Sequence, residues 1–166
     1  LGGLAVDISE RRRMEIEMRR LAQAVEQSPV GIVITNLAAE VEYVNAAFLQ
    51  MTGRSAEELL GQNQRILQSG KTPSATYLSL WAALSSGHSW KGELINRRKD
   101  GSEYVVFSNI TPLRQPDGRV THYLAAAEDI TEKKRIGAEL DQHRYHLEEL
   151  IRLRTNDLQF AKSQAE

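Results

Sequence analysis

The sequence lacks cysteine altogether, which excludes disulfide bonds, thiolate metal sites and cysteine nucleophiles. It has no apolar run near the roughly 18 residues that a membrane span needs, and no basic-apolar leader. Neither sign of charge dominates, because 21 basic residues face 22 acidic ones. No global field therefore attracts nucleic acid or an anionic membrane. We expect a cytoplasmic protein with no nucleic-acid partner and no direct membrane insertion, although a fragment of a larger membrane protein would have the same composition.

Motifs for catalysis and metal binding are also missing. The four histidines are His88, His122, His143 and His146, and none stands at metal-ligand spacing from carboxylates. The chain contains no nucleotide-binding motif. The sequence therefore predicts no metal site, no catalytic residue and no enzyme activity of its own.

The segment from residue 7 to residue 27 has neither glycine nor proline and is rich in residues that favour helices. Met14, Met18, Leu21 and Val25 follow one another at spacings of 4, 3 and 4 residues. This spacing puts them in one narrow apolar stripe on a charged helix. A narrow stripe is typical of a seam between two helices, so we expect a linker helix that forms a coiled coil.

Between residues 28 and 130 the pattern changes to short strands and short helices. The stretches KDG and QPDG are tight-turn sequences of the kind that joins antiparallel neighbours. Five strands are expected, at residues 31–36, 40–45, 89–98, 102–114 and 120–130. Two strands, short helices and three further strands predict an α+β domain with a single antiparallel sheet.

Residues 131–166 have a helical composition that only Gly137 interrupts. A straight helix of this length would extend about 54 Å at about 1.5 Å per residue. Apolar residues that include Leu140 and Leu147 recur at spacings near 3.5, but the pattern changes face around Leu150. It favours either a coiled coil with a local register change or a weak coiled coil.

Several short motifs follow one another between roughly residue 20 and residue 132. In order they are SPVGIVITN, YVNAAFLQMTG, EELLGQN, NRRKDG, PDG and EDIT. In this order they resemble a PAS domain with flanking signalling helices. The resemblance implies a PAS fold, in which a five-stranded antiparallel sheet carries short helices on one face. It assigns residues 28–130 to the domain and residues 7–27 and 131–166 to N- and C-terminal signalling helices.

Both ends of the chain resemble parts of a larger sensor. Residues 1–6 look like the last strand of a preceding PAS domain, because Asp7-Ile-Ser repeats Asp129-Ile-Thr at a distance of 122 residues. The stretch HLEELIRLRTNDLQ resembles the linker that leads into a histidine kinase core. The resemblance implies a regulatory fragment of a two-component signal transduction protein, with neighbouring PAS and kinase-type domains. It also implies a homodimer through the flanking helices.

The stretch NQRILQSGKTP, which begins at Asn63, is similar to the flavin-binding branch of the family. The redox-sensing regulators of nitrogen fixation in that branch bind FAD, so the resemblance implies a flavoprotein that senses redox state. In the related light-oxygen-voltage photoreceptors the same motif carries a cysteine that bonds to the excited flavin. Gln64 stands at that place here, and an amide cannot form a thiol adduct.

The resemblance also implies contacts to FAD. Asn96 would face the polar edge of the ring, because an amide both donates and accepts hydrogen bonds. Trp81 would lie near the ring, and Arg65 would meet a phosphate. The full set of expected cofactor-binding residues is Asn63, Gln64, Arg65, Gln68, Trp81 and Asn96. Each has a structural alternative, namely a strand amide bonded to backbone for Asn96, a core aromatic for Trp81, and helix capping or solvation for the others.

Other positions weaken or extend the flavin interpretation. Photoreceptor relatives use two further polar contacts, whose places here are Val106 and Ala127. The resemblance gives Asp129 and Thr131 a role in signal relay, since Asp129 can cap the exit helix and pair with a basic residue. A second interpretation therefore remains, in which a cofactor-free PAS domain serves as a dimerisation and relay spacer with a core filled by side chains.

Overall fold

The computed structural model describes the backbone of residues 2–165 and the side chains of residues 7–165. The five strands are β1 (Gly31–Asn36), β2 (Val41–Val44), β3 (Trp90–Arg97), β4 (Glu103–Arg114) and β5 (Val120–Asp129). The five α-helices are α1 (Gly2–Glu26), α2 (Ala46–Thr52), α3 (Ala56–Leu59), α4 (Ser74–Ser85) and α5 (Thr131–Ala165), and a 3₁₀ helix spans Gln64–Leu67.

The strands form one sheet in the order β2-β1-β5-β4-β3, and every neighbouring pair is antiparallel. Each strand expected from the sequence is present, with ends within about one residue of the expected ones. The α+β prediction with a single five-stranded antiparallel sheet is therefore confirmed.

Short-range side-chain signals set the ends of the small helices. Asn45 caps α2 by accepting a hydrogen bond from the Phe48 amide, and Gly53 ends α2 with a left-handed φ of 70°. Ser55 and Glu58 form the capping box that begins α3. These bonds span only a few residues, so the ends of the small helices are set by residues that are near in the sequence.

The core lies between one face of the sheet and the short helices. Alternate residues of β4 are buried, as a strand with one covered face requires. The helices contribute Phe48, Leu59, Leu80 and Leu84 to the same cluster. Gly31 lets α2 approach β1 closely, because a Cβ atom there would lie 3.3 Å from the Phe48 Cα atom of α2.

The side-chain amide of Asn45 joins three elements at the start of the domain. Its Oδ1 atom accepts from the backbone amides of Ile32 at 2.8 Å and Phe48 at 3.1 Å. Its Nδ2 group donates to the carbonyls of Val25 at 2.8 Å and Val30 at 2.9 Å. Asn45 is fully buried, so these four bonds fix the end of α1, β1 and the first turn of α2 together.

The N-terminal segment differs from one expectation. The resemblance implies the last strand of a preceding domain in residues 1–6, whereas α1 begins at Gly2. A strand needs a neighbour to satisfy its backbone hydrogen bonds, and no described strand pairs with this segment. The assignment of residues 1–6 to a preceding domain stays a prediction.

The chain divides into two compact units, Leu1–Asp129 and Ile130–Glu166. The second unit contains α5, which has no buried residue along its 35 residues. None of the described helices is long and apolar enough to cross a membrane.

Replacement of Asn45 tests its role as the junction of three elements. We expect Asn45→Ala to lower the free energy of unfolding by about 2–4 kcal/mol, because it leaves several backbone groups without partners. Asn109→Ala removes a half-buried strand amide that makes no side-chain hydrogen bond to any described residue, so it should cost less than about 1 kcal/mol. Urea unfolding measures both values, and equal losses would contradict the special role of Asn45.

A hydrogen bond from the Tyr43 hydroxyl to Glu26 Oε2, at 2.7 Å, also holds the end of α1. Burial and the Glu26 carboxylate raise the pKa of Tyr43 to about 12. The raised pKa means that the bond is fully present below the ordinary value of about 10 and disappears as pH rises through about 12. We expect Tyr43→Phe to cost roughly 1 kcal/mol, unchanged between pH 7 and pH 9. A loss that grows across this range in urea unfolding would contradict the assignment.

Candidate functional site

A cavity lies between the sheet and the short helices, within the first unit. Its volume is about 110 Å³, several times the roughly 10–15 Å³ that one water molecule needs. Buried apolar side chains from the sheet and the helices form its walls, among them Val33, Phe48, Leu67, Leu80, Leu84, Val106, Ile110, Ala125 and Ala127. The mostly apolar lining is typical of ligand pockets, although the enclosed volume is below the roughly 300–1,000 Å³ of pockets for drug-sized ligands.

All six expected cofactor-binding residues line this cavity. They are Asn63, Gln64, Arg65, Gln68, Trp81 and Asn96. Trp81 remains 41% exposed, and its ring meets the Tyr123 ring edge-on with 6.3 Å between centroids. Trp81 is therefore a wall residue that solvent reaches, rather than a core aromatic.

Asn63 has a structural role as well as a place in the wall. Its Oδ1 atom accepts from the Arg65 amide at 3.0 Å and thereby caps the 3₁₀ helix. Its Nδ2 group donates to the Ala38 carbonyl at 2.9 Å. Both ends of the amide are thus occupied by backbone, as the capping alternative predicts.

Gln64 and Gln68 differ from Asn63 in this respect. Among the described residues, neither side-chain amide forms a hydrogen bond, although both residues line the cavity. Arg65 is exposed at the same wall and forms no ion pair with a described residue. These three side chains keep their hydrogen-bonding capacity available for a ligand or for solvent.

The far end of this loop is attached to the edge strand β3. Thr72 Oγ1 accepts from the Ile95 amide at 2.8 Å and donates to the Ile95 carbonyl at 3.2 Å. The Ser69 hydroxyl donates to the same carbonyl. The sequence analysis missed Ser69 and Thr72, and the only available signal was their ability to bond to backbone.

The polar end of the cavity contains Asn96 and Tyr104. They are directly opposite each other on β3 and β4, and both line the cavity. Burial raises the pKa of the Tyr104 phenol, whereas the Asn96 amide and the Arg98 charge act to lower it. Tyr104 is only 1% exposed, and the sequence analysis missed it because β4 offers many alternating residues of similar type.

The two apolar residues that stand where photoreceptor relatives have polar ones are buried in the cavity wall. Val106 and Ala127 both line the cavity and are 3% and 5% exposed. Ser108 is directly opposite Ala127, is buried, and also lines the cavity. The polar residues that the sheet offers to the cavity therefore differ from the pattern found in photoreceptors; they are Thr35, Asn96, Tyr104, Ser108 and Tyr123.

The expected relay residues lie at the end of β5. Asp129 is the last residue of β5 and forms an ion pair with Arg98. The Arg98 Nε group donates to the Met51 carbonyl at 3.2 Å, so the same guanidinium group also reaches the end of α2. Thr131 is the first residue of α5. Arg98 is thus the basic partner that the resemblance implies for Asp129.

The expected dimer seam is on the surface. Met14, Met18 and Leu21 of α1 are more than 60% exposed, and Val25 is 37% exposed. On α5, Leu140 and Leu147 are 63% and 45% exposed. Within each helix, then, a row of apolar side chains faces solvent.

Comparison with known proteins establishes the family. The family model described as the PAS fold matches residues 19–130, so the chain belongs to the PAS family. Its sheet, its short helices and its terminal helices agree with that assignment. The chain is accordingly a PAS sensory domain related to signal transduction sensors.

Individual relatives are longer than this chain. A nitrogen fixation regulatory protein of Klebsiella oxytoca is 39% identical over 127 residues, which cover 76% of this chain and 26% of the relative. A blue-light-activated histidine kinase of Rhizobium johnstonii is 30% identical over 131 residues, with 76% and 38% covered. The chain thus spans about a quarter to two fifths of these relatives.

Solved structures are similar as well. One of them is the structure of a light-oxygen-voltage domain studied with a flavin analogue. It matches this chain with a TM-score of 0.64 and 26% sequence identity, and the match covers 76% of this chain and 96% of the light-oxygen-voltage chain. The likeness supports the PAS fold and an α+β domain with both terminal helices.

The neighbours Asn63 and Gln64 provide a matched test of capping against ligand contact. We expect Asn63→Ala to lower the free energy of unfolding by about 1 kcal/mol, because it removes a cap and a tether. Gln64→Ala should change it by less than about 0.5 kcal/mol, because the Gln64 side chain is bonded to nothing in the described chain. Thermal and urea unfolding check both values. A larger loss for Gln64→Ala would give it a structural role.

Proposed function

We propose that this chain is the sensory module of a multidomain signalling protein, and that it binds FAD and responds to redox state. The observation that carries the proposal is a cavity with apolar walls whose polar lining includes side-chain amides without partners in the described chain. The signal would pass through the flanking helices to an output such as a histidine kinase. Any kinase activity would belong to a domain outside these 166 residues.

The cavity residues fit the chemical groups of a flavin. Its ring needs an apolar slot, and its pyrimidine edge needs groups that both donate and accept hydrogen bonds. Asn96 and Gln68 are joined by an isolated antiparallel β-bridge between their backbones. Both side chains end in an amide, which donates and accepts hydrogen bonds. Arg65, exposed at the wall, supplies positive charge for a phosphate. A bound flavin would contribute reversible electron transfer.

Gln64 favours redox sensing over light sensing. An amide side chain reorients its hydrogen bonds when a neighbouring group gains or loses a proton, but it forms no covalent bond to a ring. The chain also contains no cysteine elsewhere that could substitute. The similarity to a nitrogen fixation regulatory protein and to a flavin-containing domain supports a flavin at this site.

Two neighbouring alanines on β5 offer a test of FAD binding with a matched control. Ala127 faces the cavity, while Ala126 faces the other side of the sheet because strand side chains alternate. We expect the wild-type protein to be yellow or to take up added FAD with visible flavin absorbance. Ala127→Leu should abolish uptake by filling the cavity, and Ala126→Leu should retain it.

Circular dichroism confirms that both variants are folded before FAD is added. FAD uptake that persists in Ala127→Leu would place the ligand outside this cavity. A wild-type protein that is colourless and takes up no FAD would remove the cofactor from the proposal and leave the fold intact.

A cofactor-free relay spacer is the second candidate function. The observation in its favour is that Val106 and Ala127 are apolar at two places where photoreceptor relatives have polar contacts. This candidate expects no flavin uptake but retains helix-mediated dimerisation. The cavity argues against it, since a spacer would have a core filled by side chains.

The exposed stripe on α1 is the basis for proposing a homodimer. A row of large apolar side chains at coiled-coil spacing gains free energy when a second helix covers it. We expect Leu21→Glu to shift the protein from dimer to monomer in light scattering. Gln23→Glu adds the same charge off the stripe and should leave the dimer intact. If Leu21→Glu stays dimeric, α1 is not the main dimer contact.

A further inference from the structure

We propose that Tyr104 is the positioning residue that transmits changes in the cavity to Asp129, at the point where β5 passes into α5. The proposal rests on the sensory function proposed above but not on the identity of the ligand. Four side chains form a continuous path, Asn96, Tyr104, Arg98 and Asp129. Of these, Asn96 was expected to contact a ligand and Asp129 to pair with a basic residue, whereas Tyr104 and Arg98 were not named from the sequence.

The first step of the path lies inside the cavity. Asn96 and Tyr104 are cross-strand partners on β3 and β4, so their side chains share one face of the sheet. Their side chains are near enough for the Asn96 amide to lower the pKa of the Tyr104 phenol against the effect of burial. A ligand that hydrogen-bonds to the Asn96 amide would therefore also change the surroundings of the Tyr104 hydroxyl.

The second step is the contact between the face of the Tyr104 ring and Arg98. The guanidinium carbon of Arg98 lies 4.5 Å from the centre of the Tyr104 ring, within the range of a cation–π contact. Tyr104 is almost completely buried, so its ring has little freedom to move without moving Arg98. The ring thus couples the contents of the cavity to the position of one guanidinium group.

The third step leads to the exit from the domain. The same Arg98 group forms the ion pair with Asp129 and also donates to the Met51 carbonyl. It donates further to Ser102 Oγ and to the Glu103 carbonyl, both at 3.4 Å. A shift of Arg98 therefore changes the restraint on Asp129, whose backbone continues through Ile130 into α5. The contacts therefore form a contiguous path. It begins at the Asn96 amide in the cavity and ends at Asp129, next to the start of α5.

Hydrogen–deuterium exchange on the full chain tests the path without any ligand. Asn96→Ala alters the cavity end, and we expect it to raise amide exchange in residues 124–134 about fivefold, as the loss of one supporting hydrogen bond would. In a Tyr104→Phe background the ring remains but the hydroxyl is gone. Asn96→Ala should then add no further increase, because the link is already broken.

Tyr123→Phe is the matched control. Tyr123 also lines the cavity, but it is six residues from Asp129 along β5, which is about 20 Å at about 3.3 Å per residue. In this background Asn96→Ala should still raise exchange about fivefold. Equal increments in the Tyr104→Phe and Tyr123→Phe backgrounds would overturn the proposal. No increment from Asn96→Ala in the wild-type background would also overturn it.

A separate arm distinguishes this inference from the flavin proposal. The wild-type protein and Tyr104→Phe are each mixed with FAD, and exchange in residues 124–134 is compared before and after chemical reduction. We expect a redox-dependent difference in the wild type that is at least halved in Tyr104→Phe. Failure of the wild type to take up FAD counts against the cofactor alone, because the ligand-free comparison still decides the role of Tyr104. Uptake with an equal redox difference in both proteins would count against Tyr104.

Discussion

The four hydrogen bonds of the buried Asn45 amide are the constraint on which the domain depends. They satisfy two backbone carbonyls and two backbone amides. Since those groups lie in α1, in the turn before β1, in β1 and in α2, one side chain fixes the entry of the linker helix against the sheet. The cavity wall at Phe48 and Val33 then follows from that placement.

In the candidate site, some polar side chains hold the loop in place and others are left available for a ligand. The loop after α3 is bound at one end through Asn63 to Ala38 and at the other through Thr72 to Ile95. Backbone bonds therefore hold the loop in place, and the glutamines between these ends need not do so. A polar residue in a binding loop is informative only when its bonding capacity is not already used by the fold.

The cavity has the composition of a ligand pocket, with mostly apolar walls and a few side-chain amides. Under the proposed function, those amides would respond to the protonation state of a bound ring. The ion pair of Arg98 and Asp129 lies where β5 ends, and the proposed path would connect the cavity to it. PAS membership and the similarity to signalling proteins agree with this interpretation.

The sequence by itself determined the elements whose causes are local, namely the five alternating strands, the Ser55 capping box, the Gly53 helix end and the chemistry open to Gln64. Tertiary structure decided the rest. It used Asn63 as a tether to Ala38, 25 residues away, and placed Tyr104 opposite Asn96 and next to Arg98. Local signals arise from bonds within one turn or one strand, whereas these outcomes depend on which distant groups fold into contact, as with Arg98 and Asp129, which are 31 positions apart.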